Sequence, residues 1–194
     1  TMKYHPHGDA SIGDALVNLT HRSMLIETQG NFGDIRTGDK AAAPRYIEAK
    51  LSDFSIDVAF NKRLTIHQSS YDGRNKEPIS LPMKFPLLLL NGVEGIAVGL
   101  STKIMPHNFI ELVKSSINIL KDRSFKIYPD FENGGMIDVT DYKRGKKGGK
   151  IRIRSNIEII DKDKLSITSV PYTTNSTSLI DSIIKANDNG KIKI

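Results

Sequence analysis

The 194 residues contain no cysteine and no tryptophan, with 38% hydrophobic and 26% charged residues, so collagen-like, disulfide-stapled and low-complexity classes fall away together with thiol catalysis and thiolate zinc sites. The length suits one large domain or two small ones, and no apolar run approaches the roughly 20 residues that cross a bilayer. Net charge is +6, from 28 basic and 22 acidic residues, and no signal-peptide pattern opens the chain, which makes a cytoplasmic protein the expectation, with no membrane partner.

Sequence with the character of ordered elements begins at once after Thr1 and Met2, as in a piece of a longer polypeptide. Residues 9–22 place Ile12, Leu16 and Leu19 on one helical face, with Asp9 and Ser11 near the exposed amides of the first turn. Residues 23–43, rich in Gly, Asn and Asp, read as a loop with a short strand at most. Ile47, Leu51, Phe54 and Val58 then recur at helical spacing behind Pro44, which predicts a helix of three to four turns after the Arg45-Tyr46 pair. From Leu64 to Pro86 the period breaks at Asp72-Gly73, Pro78 and Pro82, as in a turn-rich connection.

NGVEGIAVG, from Asn91 to Gly99, lacks the Lys-Ser/Thr pair of a phosphate loop, so its glycines serve equally as packing or bulge positions. Residues 109–121 form a further predicted helix, with Asn108 and Glu111 placed as a capping-box variant and Phe109, Leu112, Val113, Ile117 and Leu120 on the buried side. Alternation at 151–154 and 165–168 predicts antiparallel strands, and Leu179, Ile180, Ile183 and Ile184 mark a last helix. The order, helical first and strand-rich second, gives an α+β protein with a boundary near residues 68–80.

Three groups of residues carry possible chemistry. Residues 141–154, DYKRGKKGGKIRIR, hold seven basic residues against the single acid Asp141, so the whole excess of positive charge sits there. Such a segment attracts polyanions, and Lys146, Lys147 and Lys150 are its candidate phosphate contacts; a solvated hairpin loop without a partner is the competing reading. His5-Pro6-His7 places two imidazoles ahead of the first helix, where an anion sits at the positive end of its dipole, with Lys3 and Arg22 able to add charge. A metal site on His5 and His7 is the lesser alternative, since no third ligand stands at a committed spacing. Arg45-Tyr46 joins a guanidinium to a phenol: a tyrosine attacking a phosphodiester must lose a proton whose ordinary pKa is about 10 and needs charge stabilisation at the phosphoryl oxygens. An ordinary surface pair fits the same two letters.

Beyond this point the residues resemble a known family. KYHPHGD (Lys3 to Asp9), QGNFG (Gln29 to Gly33), AAAPRYIEAKL (Ala41 to Leu51), YDG (Tyr71 to Gly73), the Leu-Pro, Phe-Pro and Asn-Gly pairs between Leu81 and Gly92, and GIAVG (Gly95 to Gly99) look like successive blocks of the bacterial type IIA topoisomerase breakage-reunion subunit, the A subunit of DNA gyrase or topoisomerase IV. The later part of the chain matches only in character.

The resemblance implies a partial winged-helix DNA-binding domain over 1–70, with the helix from Asp9 in the major groove, and a partial mixed α/β tower domain over 71–194. It implies Tyr46 as the nucleophile that forms a 5′-phosphotyrosine link, Arg45 as its electrostatic partner, His5, His7 and Lys3 as supporting groups near the scissile phosphate, and Arg22 and Asn91 as further DNA contacts. Ile96 would be the apolar wedge that unstacks a base step and bends the duplex, with a core role for Ile96 as the alternative. The function implied is that of the DNA-cleaving subunit of an ATP-dependent type II topoisomerase, nucleoid-associated, acting on double-stranded DNA in a heterotetramer of two A and two B subunits. The B subunits would carry Mg2+ and ATP, and this fragment alone is expected to be inactive.

Three positions depart from the commonest pattern: Ala10 where many members carry serine, a connection from Asp14 to Gln29 that is a few residues short, and Pro44 in place of methionine. The first bears on quinolones, which the family holds through Ala10 and Asp14 equivalents. Gyrase and topoisomerase IV differ chiefly in a carboxy-terminal wrapping domain, so the resemblance does not choose between them. A non-catalytic DNA-binding or architectural module, using the first helix and the basic segment, is the rival reading.

Overall fold

A computed structural model describes residue 4 and residues 8–22, 24–146 and 148–194, with Arg22 described by its backbone alone. His5, His7, Lys3 and Lys147 therefore lie outside the described residues, as does the Arg22 side chain. The chain divides into two compact units, the first comprising residues 1–34 and 40–87, the second 35–39 and 88–194.

The first unit opens with α1 (Asp9–Arg22), where the sequence predicts it. Its start is stitched by side chains: Asp9 Oδ1 accepts from the Ala10 amide at 3.0 Å and the Ser11 hydroxyl donates to the Gly8 carbonyl at 2.8 Å. Ile12 and Leu16 are half-buried, whereas Leu19 is exposed. β1 (Ile26–Gln29) pairs antiparallel with β2 (Glu48–Leu51), Ile26 opposite Leu51 and Gln29 opposite Glu48.

That pairing corrects the helix expected after Arg45-Tyr46. Only one turn of 3-10 helix, Pro44–Tyr46, stands there, followed by β2 and then the short α2 (Asp53–Ala59). The reason is competition for the backbone: residues 48–51 spend their hydrogen bonds on β1, so a helix cannot begin until Ser52. Ser52 is well suited to that switch, because its Oγ accepts from the Ser55 amide at 3.0 Å while donating to the Met24 carbonyl at 2.6 Å. Leu25, Phe32 and Ala59 are buried, and Phe54 meets Phe85 edge to face at 6.4 Å. The turn-rich stretch contains one hairpin, β3 (His67–Ser69) with β4 (Lys76–Pro78), bent around Asp72-Gly73. At its bend the Ser70 hydroxyl and the Arg74 amide both donate to Asp72, holding its carboxyl below the ordinary range.

After α3 (Leu87–Asn91), the second unit carries three further hairpins: β5 (Val93–Ala97) with β6 (Leu100–Ile104), β7 (Met136–Asp138) with β8 (Arg152–Arg154), and β9 (Ile157–Asp161) with β10 (Lys164–Ile167). Its helices are α4 (Phe109–Leu120) and α5 (Ser176–Asp188), capped by the side chains of Asn108 and Asn175. Leu112 is buried under α4 and Phe131 stacks on Tyr172 at 4.5 Å. Ile117 and Leu120, expected on the buried side of α4, are 44% and 85% exposed, because the helix rolls its Leu112-Ser115 edge inward instead. Residues 35–39 belong here because the Ser176 amide donates to the Arg36 carbonyl at 2.7 Å and Thr177 Oγ1 to the Thr37 carbonyl at 3.2 Å. Helices together with separate antiparallel hairpins make the chain an α+β protein.

Candidate active site and nucleic-acid interface

In the first unit the Arg45-Tyr46 pair sits on the 3-10 turn, held by the Tyr46 amide donating to the Ala43 carbonyl at 2.9 Å and the Ile47 amide to the Pro44 carbonyl at 3.4 Å. Pro44 presets the first dihedral of this turn. Tyr46 is 66% exposed, so its phenol meets solvent rather than a core. The Arg45 guanidinium lies 4.8 Å from the centroid of the Tyr46 ring, a cation–π stack that orders two exposed side chains against each other. The turn is braced from two sides, by the Ala42 amide donating to the Asn31 carbonyl at 2.9 Å and by Gly30, whose left-handed φ of +99° brings the end of β1 under the Tyr46 carbonyl. α1 reaches the same turn, since a Cβ on Gly13 would touch Pro44 Cγ at 4.0 Å. Ala10 and Asp14 stand exposed one turn apart on that helix.

In the second unit, Ile96 stands near the tip of the β5–β6 hairpin, paired with Ser101 and 84% exposed, which excludes a core role. Val98 and Leu100 are also exposed, and Gly99 turns the strand with φ +71°. Behind Ile96 on the same face, Glu94 faces Lys103 in the register and pairs with it at 3.1 Å. The hairpin's base is fixed by Gly92, where a Cβ would lie 2.6 Å from the Ile104 carbonyl oxygen. Asn91, just before it, has a buried side-chain oxygen with no hydrogen-bond partner among the described residues.

The basic segment is the loop and second strand of the β7–β8 hairpin. It closes through the Lys150 amide on the Asp141 carbonyl at 3.1 Å and the Lys146 amide on the Lys143 carbonyl at 3.1 Å, leaving Lys146 and Lys150 exposed. Arg152 is spent internally, on Asp138 at 3.2 Å and Asp141 at 3.6 Å. Hydrogen bonds from Thr140 and then from Arg152 hold the Asp138 carboxyl down to about 2. Tyr46 and Arg45 are thus brought together in one unit, while Ile96, Asn91, Lys146 and Lys150 belong to the other.

Sequence reasoning missed Gly30 as a brace and Glu94-Lys103 as a cross-strand pair. The signal for the second was present: a two-residue Val98-Gly99 turn places residues 94 and 103 opposite each other.

The sequence model of the family described as the DNA gyrase/topoisomerase IV A subunit matches residues 1–194. The chain is 49% identical, over its whole length and 31% of the relative's, to the DNA topoisomerase 4 A subunit of Borreliella burgdorferi. It is 37% identical to the DNA gyrase A subunit of Clostridium acetobutylicum, over 93% of this chain and 24% of the relative's. With the DNA gyrase A subunit of Halalkalibacterium halodurans it shares 35% over 98% of the chain and 25% of the relative's. The chain therefore spans a third or less of the length of these curated relatives.

Proposed function

The chain belongs to the DNA gyrase/topoisomerase IV A-subunit family, and from that premise we propose that it is the DNA-cleaving part of a type IIA topoisomerase. The observation that carries the reading is the exposed Tyr46 phenol on a braced turn with the Arg45 guanidinium stacked on its ring. The phenolic oxygen attacks a DNA phosphorus; the new O–P bond replaces the one to the leaving 3′ oxygen, which takes up a proton while the phenol gives one up. Arg45, already ordered beside the phenol, offsets charge on the phosphoryl oxygens. Bond energy stays in the phosphotyrosine ester, so resealing is the same transesterification run backwards.

A partial winged-helix domain over 1–70 and a partial tower domain over 71–194 fit this reading. α1 serves in the major groove, with Arg22, Asn91, Lys146, Lys147 and Lys150 as DNA contacts, His5, His7 and Lys3 beside the phosphate, and Ile96 as the bending wedge. No group of three His, Asp or Glu among the described residues is arranged to hold a metal ion. Mg2+ and ATP belong to the B subunits of a heterotetramer with two A subunits, working at the nucleoid. No helix among the described residues is long and apolar enough to cross a membrane. The higher identity to a topoisomerase IV subunit favours that branch over gyrase.

The test is reconstitution of the full-length cleaving subunit with its B subunit, DNA, Mg2+ and ATP, followed by denaturation and mapping of the covalently attached DNA. Attachment at Tyr46, lost in Tyr46→Phe with DNA binding retained and reduced in Arg45→Ala, supports the reading. Covalent complexes that persist in Tyr46→Phe overturn it in favour of another nucleophile, and salt-dependent binding without any cleavage favours the architectural module.

A further inference from the structure

The second unit contains a concavity of about 640 Å³ lined by Lys103, Arg123, Lys126 and Arg144 and by no carboxylate among the described residues. We propose that it is a binding site for a small anionic aromatic, a molecule with one phosphate, sulfonate or carboxylate group on a flat apolar body. The volume lies in the range of small-molecule sites. Its wall is apolar where a ring would lie, formed by Ile104, Met105, Phe125 and Tyr142.

The four cations are not equivalent. Lys103 is tied to Glu94 at 3.1 Å and Lys126 lies over the Tyr128 ring at 5.1 Å. Arg123 and Arg144 have no carboxylate partner among the described residues, so their guanidinium groups are the ones left to grip an anion with two parallel hydrogen bonds.

Arg123 follows a left-handed residue at the end of α4, and Arg144 occupies a left-handed position itself. α4 ends in a turn whose left-handed residue is Asp122, φ 52°, with the Asp122 amide on the Ile119 carbonyl at 3.1 Å and the Arg123 amide on the Asn118 carbonyl at 2.8 Å. Glycine is the usual occupant of that position. Arg144 is itself left-handed, φ 50°, in the β7–β8 loop. Non-glycine residues persist in this region where surrounding structure over-determines them, and such strain clusters at ligand sites. Histidine completes the wall: His107 is buried and its Nδ1 lies 3.1 Å from the Leu89 carbonyl, so Nδ1–H donates there and the ring keeps a fixed orientation.

Duplex DNA fits this concavity poorly. A rigid rod presents phosphates to a surface and gains nothing from an apolar wall, whereas a compact ring with one acidic group uses both halves of the lining.

The test titrates 8-anilinonaphthalene-1-sulfonate into the full-length protein, followed by fluorescence at constant ionic strength. One saturable site is expected, displaced by inorganic phosphate but not by equal ionic strength of chloride. Arg123→Gln and Arg144→Gln should each weaken it about tenfold, as loss of one charge-assisted contact does, with unchanged thermal unfolding. The uncharged analogue N-phenyl-1-naphthylamine should bind both variants as it binds the parent. Unchanged sulfonate affinity in both variants, equal weakening of the uncharged analogue, or failure of phosphate to compete overturns the proposal. Displacement by a short DNA duplex that disappears in the same two variants also overturns it and assigns the surface to DNA.

Discussion

The carbonyl oxygen of Tyr46 lies so close over Gly30 that a Cβ there would sit 2.7 Å from it. Gly30 also has φ +99°, a conformation side chains rarely adopt. Contact and dihedral together pin the turn carrying Tyr46 to the end of β1. Gly30→Ala is therefore expected to cost about 1–3 kcal/mol of stability and to lower cleavage more than DNA binding, since the proposed nucleophile, Tyr46, is displaced while the rest of the surface remains. Thermal unfolding with cleavage assays on the reconstituted enzyme checks this; an alanine variant of parental stability and rate would show that the turn holds without the close approach.

Ile96 projects from a hairpin whose base is fixed by Gly92 and whose face is held by Glu94 and Lys103. Ile96→Ala should leave the fold intact, because the side chain is 84% exposed and packs on little. In the proposed wedge role, shortening Ile96 removes what offsets the few kcal/mol of unstacking, so bending and cleavage should fall together while binding to nicked or already bent DNA suffers less. Bending measured by fluorescence transfer that stays at the parental angle would remove Ile96 from this role.

Much of the fold is legible in the sequence, and the part that is not has a common cause. α1, α4 and α5 announce themselves through local periodicity and caps such as Asn108, which depend on residues within a turn of each other. The segment after Tyr46 has the same helical spacing of Ile47, Leu51, Phe54 and Val58, yet β1, far away in sequence, takes half of it into a strand. Periodicity within a window cannot report a partner outside that window. The site divides the same way: Arg45-Tyr46 and Ile96 stand out by residue type and resemblance, whereas Gly30, Arg123 and Arg144 gain meaning only from neighbours that the fold supplies.

Asp138 offers a pH test of the β7–β8 hairpin. Its carboxyl is held at about 2 against an ordinary 3.8, by Thr140 first and then Arg152. A depressed folded-state pKa means the unfolded chain binds the proton more readily, so the contribution is fully present above 3.8 and fades as pH falls through about 2. The urea midpoints of the parent and Asp138→Asn should differ by a constant amount at neutral pH and converge in that acid window. Parallel acid profiles would mean that Asp138 gains nothing from its hydrogen bonds.

Lys146 and Lys150 are exposed on the same hairpin loop, while Arg152 is occupied by Asp138 and Asp141. Phosphate contacts release counterions, so replacing Lys146, Lys147 and Lys150 with glutamine should lower DNA affinity and flatten its dependence on salt, by up to about 0.9 for each phosphate no longer neutralised, leaving the cleavage sequence unchanged. Arg152→Gln should move that slope less than any one lysine. A slope that stays the same in the triple variant identifies a solvated loop with no partner.

In the proposed reading, Ala10 and Asp14 stand at the positions that the family resemblance assigns to the magnesium-bound water of a quinolone. Four residues apart on α1, they share one exposed face, so the spacing for the anchor is kept while the hydroxyl is missing. The neighbouring Ser11 does not substitute: its hydroxyl donates to the Gly8 carbonyl at 2.8 Å and it stands one residue round the helix from that face. A methyl group accepts no hydrogen bond, and one neutral contact is worth roughly 0.5–1.5 kcal/mol, or about two- to tenfold in affinity. Asp14, charged and exposed, keeps the other half of the anchor. Ala10→Ser in the reconstituted enzyme is therefore expected to lower the quinolone concentration needed to trap cleaved DNA by that factor, with drug-free cleavage unchanged, and Asp14→Asn in the Ala10→Ser background should reverse most of the gain. Equal trapping by parent and Ala10→Ser would show that quinolones engage this protein without the water anchor.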